Sequence, residues 1–290
     1  MPEPTFTVLG GRGFIGSHLV RHLRGRGHKV WVPQRDDPAV FERELGHVVY
    51  AIGLTADFRS RPLATAEAHV GVLRRLLEAG RFESLTYLSS TRVYAGAAST
   101  SESATLRVDP NAPGDLYNLS KLLGEALCLH CGHPGMKVAR LANIVGARPA
   151  GEDGAGAASF IDALIDAGKR TGHVRLQTSL ASAKDYLGID VAVDLLARIA
   201  LSPHTGIFNV ASGCSVSNAE IKRLIERETG WGVTVAPDAP TWGFEPIDVS
   251  RVARLFAPSA HALAHSFTTS LTALLRAAAT VPSHLEGTPA

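Results

Sequence analysis

The chain has 290 residues, 45% of them hydrophobic, enough to bury a substantial core in one large domain or two modest ones. Lysine and arginine total 29 against 27 acidic residues, a formal charge of +2 with no long block of one sign, which excludes nucleic acid as a favoured partner. The opening MPEPTFTVLGG has neither a basic leader nor an apolar run of signal-peptide length, and no later segment reaches the length of a membrane span, so the expectation is a cytoplasmic protein with no membrane partner.

Thr5–Leu9 is the first predicted strand. TVLGGRGFIGSHLV then breaks into closely spaced glycines before helical spacing resumes over Ile15–Arg26. A strand that turns sharply into a helix aims the first-turn N–H groups at whatever sits above the strand, and their partial positive charge suits a pyrophosphate. Glycines are needed because a Cβ would block the turn, the approach of the phosphate, or the packing of helix on strand. The spacing fits Gly11-x-Gly13-x-x-Gly16 or Gly10-x-x-Gly13-x-x-Gly16, so Gly10, Gly11, Arg12, Gly13, Phe14, Ile15 and Gly16 form the candidate dinucleotide cradle. The second strand, Lys29–Val32, runs into PQRDD. An NAD site places an acid there for the ribose hydroxyls, whereas an NADP site removes that charge and supplies arginine. Gln34 and Arg35, with Arg12 in the loop, favour NADP, since two guanidinium groups match a phosphate. In the alternative the arginines are solvated and Asp36 or Asp37 serves the ribose of NAD.

The stretch from Val32 to His47 leaves room for one small helix but hardly for another strand, so the sheet is expected to be trimmed by one element. Strands His47–Ile52, Leu85–Ser89, Lys137–Leu141 and Gly206–Val210 are predicted, with helices His69–Ala79 and Tyr117–His130 among them, the pattern of β-α-β units and a mostly parallel sheet. Ligands of such a sheet lie beyond the carboxyl ends of its strands, which puts Ser89, Ser90 and Thr91 near the glycine loop. YNLSK places Tyr117 and Lys121 on one helix face, and of the five tyrosines only this one has lysine four residues on. A phenol titrates near pH ~10, and a neighbouring ammonium together with an oxidised nicotinamide ring favours the phenolate, fitting Tyr117 for proton exchange at a hydroxyl or carbonyl. CLHCGH contains Cys128 and Cys131, but with only Cys214 elsewhere a four-ligand zinc set is not available, and no metal is expected.

From Gly146 the segment GARPAGEDGAGAAS is rich in glycine and alanine, the composition of a linker or mobile loop. Helices are predicted at Phe160–Ala167, Asn218–Thr229 and Leu271–Ala279, the last followed by a loose tail. The fold expected is α/β, a Rossmann-type doubly wound parallel sheet with a smaller, discontinuous C-terminal substrate domain. Residues 1–145, with 181–211 returning to them, make the dinucleotide-binding domain, and 146–180 with 212–290 the substrate domain.

In combination these features resemble the extended short-chain dehydrogenases/reductases, in particular the NAD(P)-dependent epimerase/dehydratase family that acts on nucleotide sugars. The resemblance rests on the glycine loop, YLSSTRVYAG, the Tyr117–Lys121 pair, RLANIVGARP, KDYLGIDVAVDLL and IFNVASGCSVSNAEI, all in the family's order. It implies that Ser90 is the catalytic hydroxyl, Tyr117 the acid-base residue, and Lys121 both catalytic and a contact to the nicotinamide ribose. Asn143 falls where family members contact substrate, and Thr91 is a second candidate substrate contact. Thr91 and Arg92 occupy the places of the acidic pair that the family's 4,6-dehydratases use for elimination, which disfavours dehydration. Gly188 and Val191 replace a histidine and an aspartate of the family's usual motif. Trp231, Trp242 and Phe244 are candidates to stack on a base or to fill a core. The expected activity is reduction of a nucleotide-linked keto sugar with NADPH, the alternative being a nucleotide-sugar epimerase that retains NAD. A catalytically silent NADP-sensing regulator would not need Ser90, Tyr117 and Lys121, and a homodimer is usual for the family.

Overall fold

A computed structural model describes residues 5–55, 58–148 and 159–280. The apolar run Thr5–Leu9 forms strand β1, its side chains buried after the first position, and turns directly into helix α1 (Phe14–Gly25). Leu19, Val20 and Leu23, three or four apart, give α1 its buried face. Strand β2 (Lys29–Trp31) follows, then a single 3-10 turn at Pro38–Phe41, and β3 (His47–Tyr50), so this connection holds one small helical turn and no strand. Next come α2 (Pro62–Ala66), a π-helical turn at Glu67–Gly71, and α3 (Val72–Ala79), a continuous helical stretch that begins seven residues before the predicted start. Strand β4 (Ser84–Ser90), α4 (Asp115–His130) and β5 (Met136–Leu141) complete the first half.

The remaining elements are β6 (Asn143–Val145), α5 (Phe160–Thr171), β7 (His173–Leu176), β8 (Ala183–Gly188), α6 (Ile189–Leu201), β9 (Gly206–Val210), β10 (Ser215–Ser217), α7 (Asn218–Thr229), β11 (Gly232–Val235), α8 (Ser250–Phe256) and α9 (Ala260–Ala279). Six strands pair in parallel in the order β2-β1-β3-β4-β5-β9, a Rossmann-like sheet. Its chain order reverses between β1 and β3, the place where such sheets leave a crevice for ligand. Phe6, Val8, Leu19, Leu23, Leu196 and Phe208 fill one face with α1 and α6, while Val48, Tyr50, Leu73, Leu76, Tyr87 and Cys128 fill the other with α3 and α4. Cys128 is thus an apolar core residue.

A second core joins Ile161, Ile165, Val174, Tyr186, Ile221, Ile225 and Phe267 under α5, α7 and α9. Here β6 pairs with β8 and β8 with β10, and β7 pairs with β11. Capping boxes at Ser159–Asp162 and Ser217–Glu220 start α5 and α7, and Gly172 and Gly230 end them in the left-handed conformation. Trp231 lies against Gly168, a core role, whereas Trp242 is exposed. Helix α9 begins at Ala260 rather than at the predicted Leu271, because Ser259 caps it and Leu263 and Phe267 continue the four-residue apolar spacing. The glycine- and alanine-rich stretch lies mostly outside the described residues, as does the tail after Thr280.

Candidate active site

The glycine loop is built as its spacing demands. Gly10 has φ +77°, and a Cβ there would sit 2.7 Å from the Ala51 carbonyl oxygen, while a Cβ on Gly16 would collide with the Gly10 carbonyl. Both positions therefore let β1, β3 and α1 approach closely. Gly13 serves a different purpose: a Cβ on it would meet only the Gly10 oxygen at 3.3 Å, so space lies open above it. Gly13 is the N-cap of α1, with no side-chain cap and no acid in the first turn, leaving the helix's positive end for an anionic group. The residues present fit a dinucleotide's pyrophosphate. Phe14 and Ile15 are half-buried, and Phe14 packs edge-on against His18.

Arg12, Gln34 and Arg35 are all exposed. Asp37 accepts a hydrogen bond from the Ala39 amide and caps the 3-10 turn, which ties down one of the two acids considered for a ribose. Asp36 adopts φ 59°, an uncommon conformation for a residue with a side chain.

Strand β4 ends in three hydroxyl residues with three different surroundings. Ser89 donates to Glu125 Oε1 at 2.5 Å and is buried. Thr91 donates to the Leu141 carbonyl at 3.3 Å and is also buried. Ser90 alone is half-buried, and its Oγ accepts from the Arg92 amide at 3.2 Å, turning the chain at the strand's carboxyl end. Asn143, the first residue of β6 and two past the end of β5, is exposed and donates through Nδ2 to the Asp185 carbonyl.

Tyr117 and Lys121 lie one turn apart on α4, both buried. Lys121 Nζ donates to the Leu88 carbonyl at 2.8 Å and lies 6.0 Å from the Tyr117 ring centroid. Burial pushes the Lys121 ammonium down to about 7, with the Glu125 carboxylate pulling the other way. Burial also raises the Tyr117 phenol above its ordinary value, while the Ser90 hydroxyl and then the Arg92 guanidinium act to lower it. The expectation of an acidic phenol joined the Lys121 ammonium with an oxidised nicotinamide ring, and so concerns the cofactor-bound state. In the free protein desolvation outweighs the nearby charges, and the cation acting on the phenol is Arg92, its Cζ 5.5 Å from the ring centroid.

Three residues at this site were not found from the sequence. Phe58 packs on Tyr117 with centroids 5.5 Å apart, and Arg59 lies over Phe58. His69 meets Tyr117 edge-on, shares a hydrogen bond with the Ser120 hydroxyl at Nδ1, and receives the Leu54 amide at Nε2. Burial, with Lys121 adding to it, pushes His69 down to about 3, so the ring is neutral and acts as a strut. His69 is fully buried, as is Thr65 one turn earlier, and nothing in the sequence spacing marks either as a neighbour of Tyr117. Among the described residues no group of His, Cys, Asp or Glu is placed to hold a metal ion, and no helix is long and apolar enough to cross a membrane.

Glycine cradle, Ser90, Tyr117 and Lys121 all fall within residues 6–211, the span that matches the model of the NAD-dependent epimerase/dehydratase family. The chain belongs to that family. This epimerase/dehydratase-family enzyme is 28% identical over 280 residues to the UDP-glucose 4-epimerase of Mycolicibacterium smegmatis, covering 80% of this chain and 83% of the relative. Among solved structures it is similar to MoeE5 in complex with UDP-glucose and NAD, at a TM-score of 0.72 and 21% identity, covering 94% of this chain and 99% of the other. It is equally similar to RMD from Pseudomonas aeruginosa complexed with NADPH, at a TM-score of 0.72 and 20% identity, covering 96% and 98%. Solved structures of this fold thus hold NAD in one case and NADPH in another.

Proposed function

We propose that this chain is a ketoreductase that uses NADPH to reduce a carbonyl on a nucleotide-linked sugar. The carrying observation is the placement of a protonated, buried Tyr117 phenol beside Ser90 at the carboxyl end of β4, in the sheet whose first strand opens into the glycine cradle. The glycine cradle would hold NADPH, which when bound would supply hydride to the carbonyl carbon. Tyr117 then gives its phenolic proton to the oxygen, which becomes a hydroxyl, and the Ser90 hydroxyl steadies the developing charge on that oxygen. Burial holds the phenol in its protonated form, the form required for reduction. Lys121, fixed by the Leu88 carbonyl, is placed to orient the nicotinamide ribose, and Asn143 and Thr91 are the candidate substrate contacts. The exposed Arg12 and Arg35, with neutral Gln34 between β2 and the committed Asp37, support NADP over NAD.

A second reading, epimerisation with retained NAD, is favoured by the 28% identity to a UDP-glucose 4-epimerase. The test is to purify the protein, denature it, and identify any dinucleotide released. An empty site that takes up NADPH more tightly than NADH supports reduction. Tightly held NAD supports epimerisation, and a protein that binds neither overturns both readings.

A further inference from the structure

Two arginines crowd the reacting end of the site. Arg92 follows Ser90 by two residues, donates through Nη2 to the Gly114 carbonyl at 3.2 Å, and places its Cζ 5.1 Å from the Phe58 centroid and 5.5 Å from that of Tyr117. Arg59 lies 4.6 Å over the same Phe58 ring. An ideal Cβ on Gly114 would be 3.3 Å from Arg92 Nη2 and 3.7 Å from Arg59 Nη2, so both guanidinium groups converge on one point that a glycine leaves free.

Neither arginine has an ion-pair partner among the described residues. The acid that acts on Arg92 is Asp115, whose carboxylate is already accepting from the Asp109 amide and from Asn118 Nδ2. Lys184 adds a third positive charge, its pKa lowered first by burial and then by Arg92. Arg92 and Lys184 are half-buried and Arg59 is exposed at the mouth of the site, so an anion set between them relieves the repulsion felt by the less solvated charges while gaining charge-assisted hydrogen bonds. Burial and then Arg59 push the Arg92 pKa down, the mark of a guanidinium short of counter-charge. The planar forks of two arginines fit a carboxylate.

We propose that Arg59 and Arg92 form a carboxylate subsite beside Tyr117, and that the substrate is a nucleotide-linked sugar acid rather than a neutral sugar. The proposal rests on the nucleotide-sugar reading above and adds the charge of the sugar. Its position against the Tyr117 ring, where the reacting carbon must lie, assigns the anion to the sugar and not to the nucleotide's diphosphate.

The experiment is calorimetric titration of the full chain, saturated with NADP⁺, with UDP-glucuronic acid, UDP-glucose and UDP. UDP-glucuronic acid is expected to bind about tenfold or more tighter than UDP-glucose. Arg92→Gln and Arg59→Gln should each erase that preference while UDP binding stays within about twofold, and Arg92→Lys should retain part of it. Binding of NADP⁺ by each variant checks that it is folded. Equal affinity for the acid and the neutral sugar in the wild type overturns the proposal. Variants that weaken UDP, UDP-glucose and UDP-glucuronic acid alike also overturn it, because the arginines then grip the diphosphate. If NADP⁺ binds but none of the three nucleotides does, the nucleotide-sugar reading itself fails, and the subsite with it.

Discussion

Tyr117, Lys121 and the loop arginines can each be tested singly. Tyr117→Phe keeps the ring that packs against Phe58 and His69 and removes only the hydroxyl. Turnover should fall by roughly 10²–10⁴-fold, the usual worth of a general acid, with dinucleotide affinity unchanged in a fluorescence titration. Lys121 makes a prediction about pH. Its pKa is about 7 in the fold against 10.5 for an ordinary lysine, so between those limits the unfolded chain binds more protons and the folded state gains stability as pH rises. Below about 7 both states are charged and the penalty for burying the ammonium is complete. Lys121→Met should therefore raise the melting temperature of the cofactor-free protein most near pH 6, less near pH 9, while abolishing activity. A gain that does not vary with pH would mean that Lys121 is not titrating in this range. For the cofactor, Arg12→Ala combined with Arg35→Ala should weaken NADP binding by more than tenfold and NAD binding by much less, since a phosphate contact to a charged donor is worth about 1.5–3 kcal/mol. Equal losses for the two cofactors would remove the case for NADP.

Among the secondary-structure elements, the turn from β1 into α1 is the most sharply constrained. A Cβ at Gly16 strikes the Gly10 backbone oxygen, which cannot rotate away as a side chain would. Gly16→Ala should force α1 off the strand, costing about 1–3 kcal/mol in urea unfolding and most of the dinucleotide affinity. This loop was legible in the sequence because its requirement is local. Three glycines, a strand and a helix lie within about one supersecondary unit. The six strands of the parallel sheet were likewise legible as short apolar runs, buried on both faces in the centre of the sheet and only half-buried in the edge strand β2. Strands β6, β7, β8, β10 and β11 were not, since each has three to six residues and half-polar faces, and the pairing partner decides their state. Helix α6 (Ile189–Leu201) went unassigned although Asp190, Asp194 and Arg198 recur every four positions along it and the other faces are apolar, a periodic signal that the sequence did carry. The Tyr117–Lys121 pair showed itself through a four-residue spacing, whereas Phe58, Arg59 and His69 reach Tyr117 only through the tertiary fold.

At the level of the whole molecule, one buried polar network joins the sheet, helix α4 and the loops beside β9. Arg140 on β5 binds Glu125 on α4 through Nε and Nη2, the latter at 2.6 Å, with side chains only 4% and 3% exposed. Its Nη1 donates to the Tyr94 hydroxyl, which donates to Asn209 Oδ1 on β9, and Asn209 Nδ2 reaches the carbonyls of Thr100 and Asp248. Every charged atom at its centre is matched, the condition under which such a pair is tolerable in a dry interior. Arg140→Leu strands the Glu125 carboxylate and should destabilise the protein by about 3–5 kcal/mol in denaturant unfolding. Replacing both residues by leucine should recover much of that loss, because the desolvated charge is gone. The same carboxylate pulls the Lys121 pKa upward, and Tyr117, Lys121 and Glu125 share one face of α4. Freed from Arg140, Glu125 should act more strongly on Lys121, so Arg140→Leu, studied below its unfolding transition, should raise the Lys121 pKa above 7 in an NMR titration of the lysine side chain. An unchanged Lys121 titration would show that the network supports the fold without setting the charge of the active site.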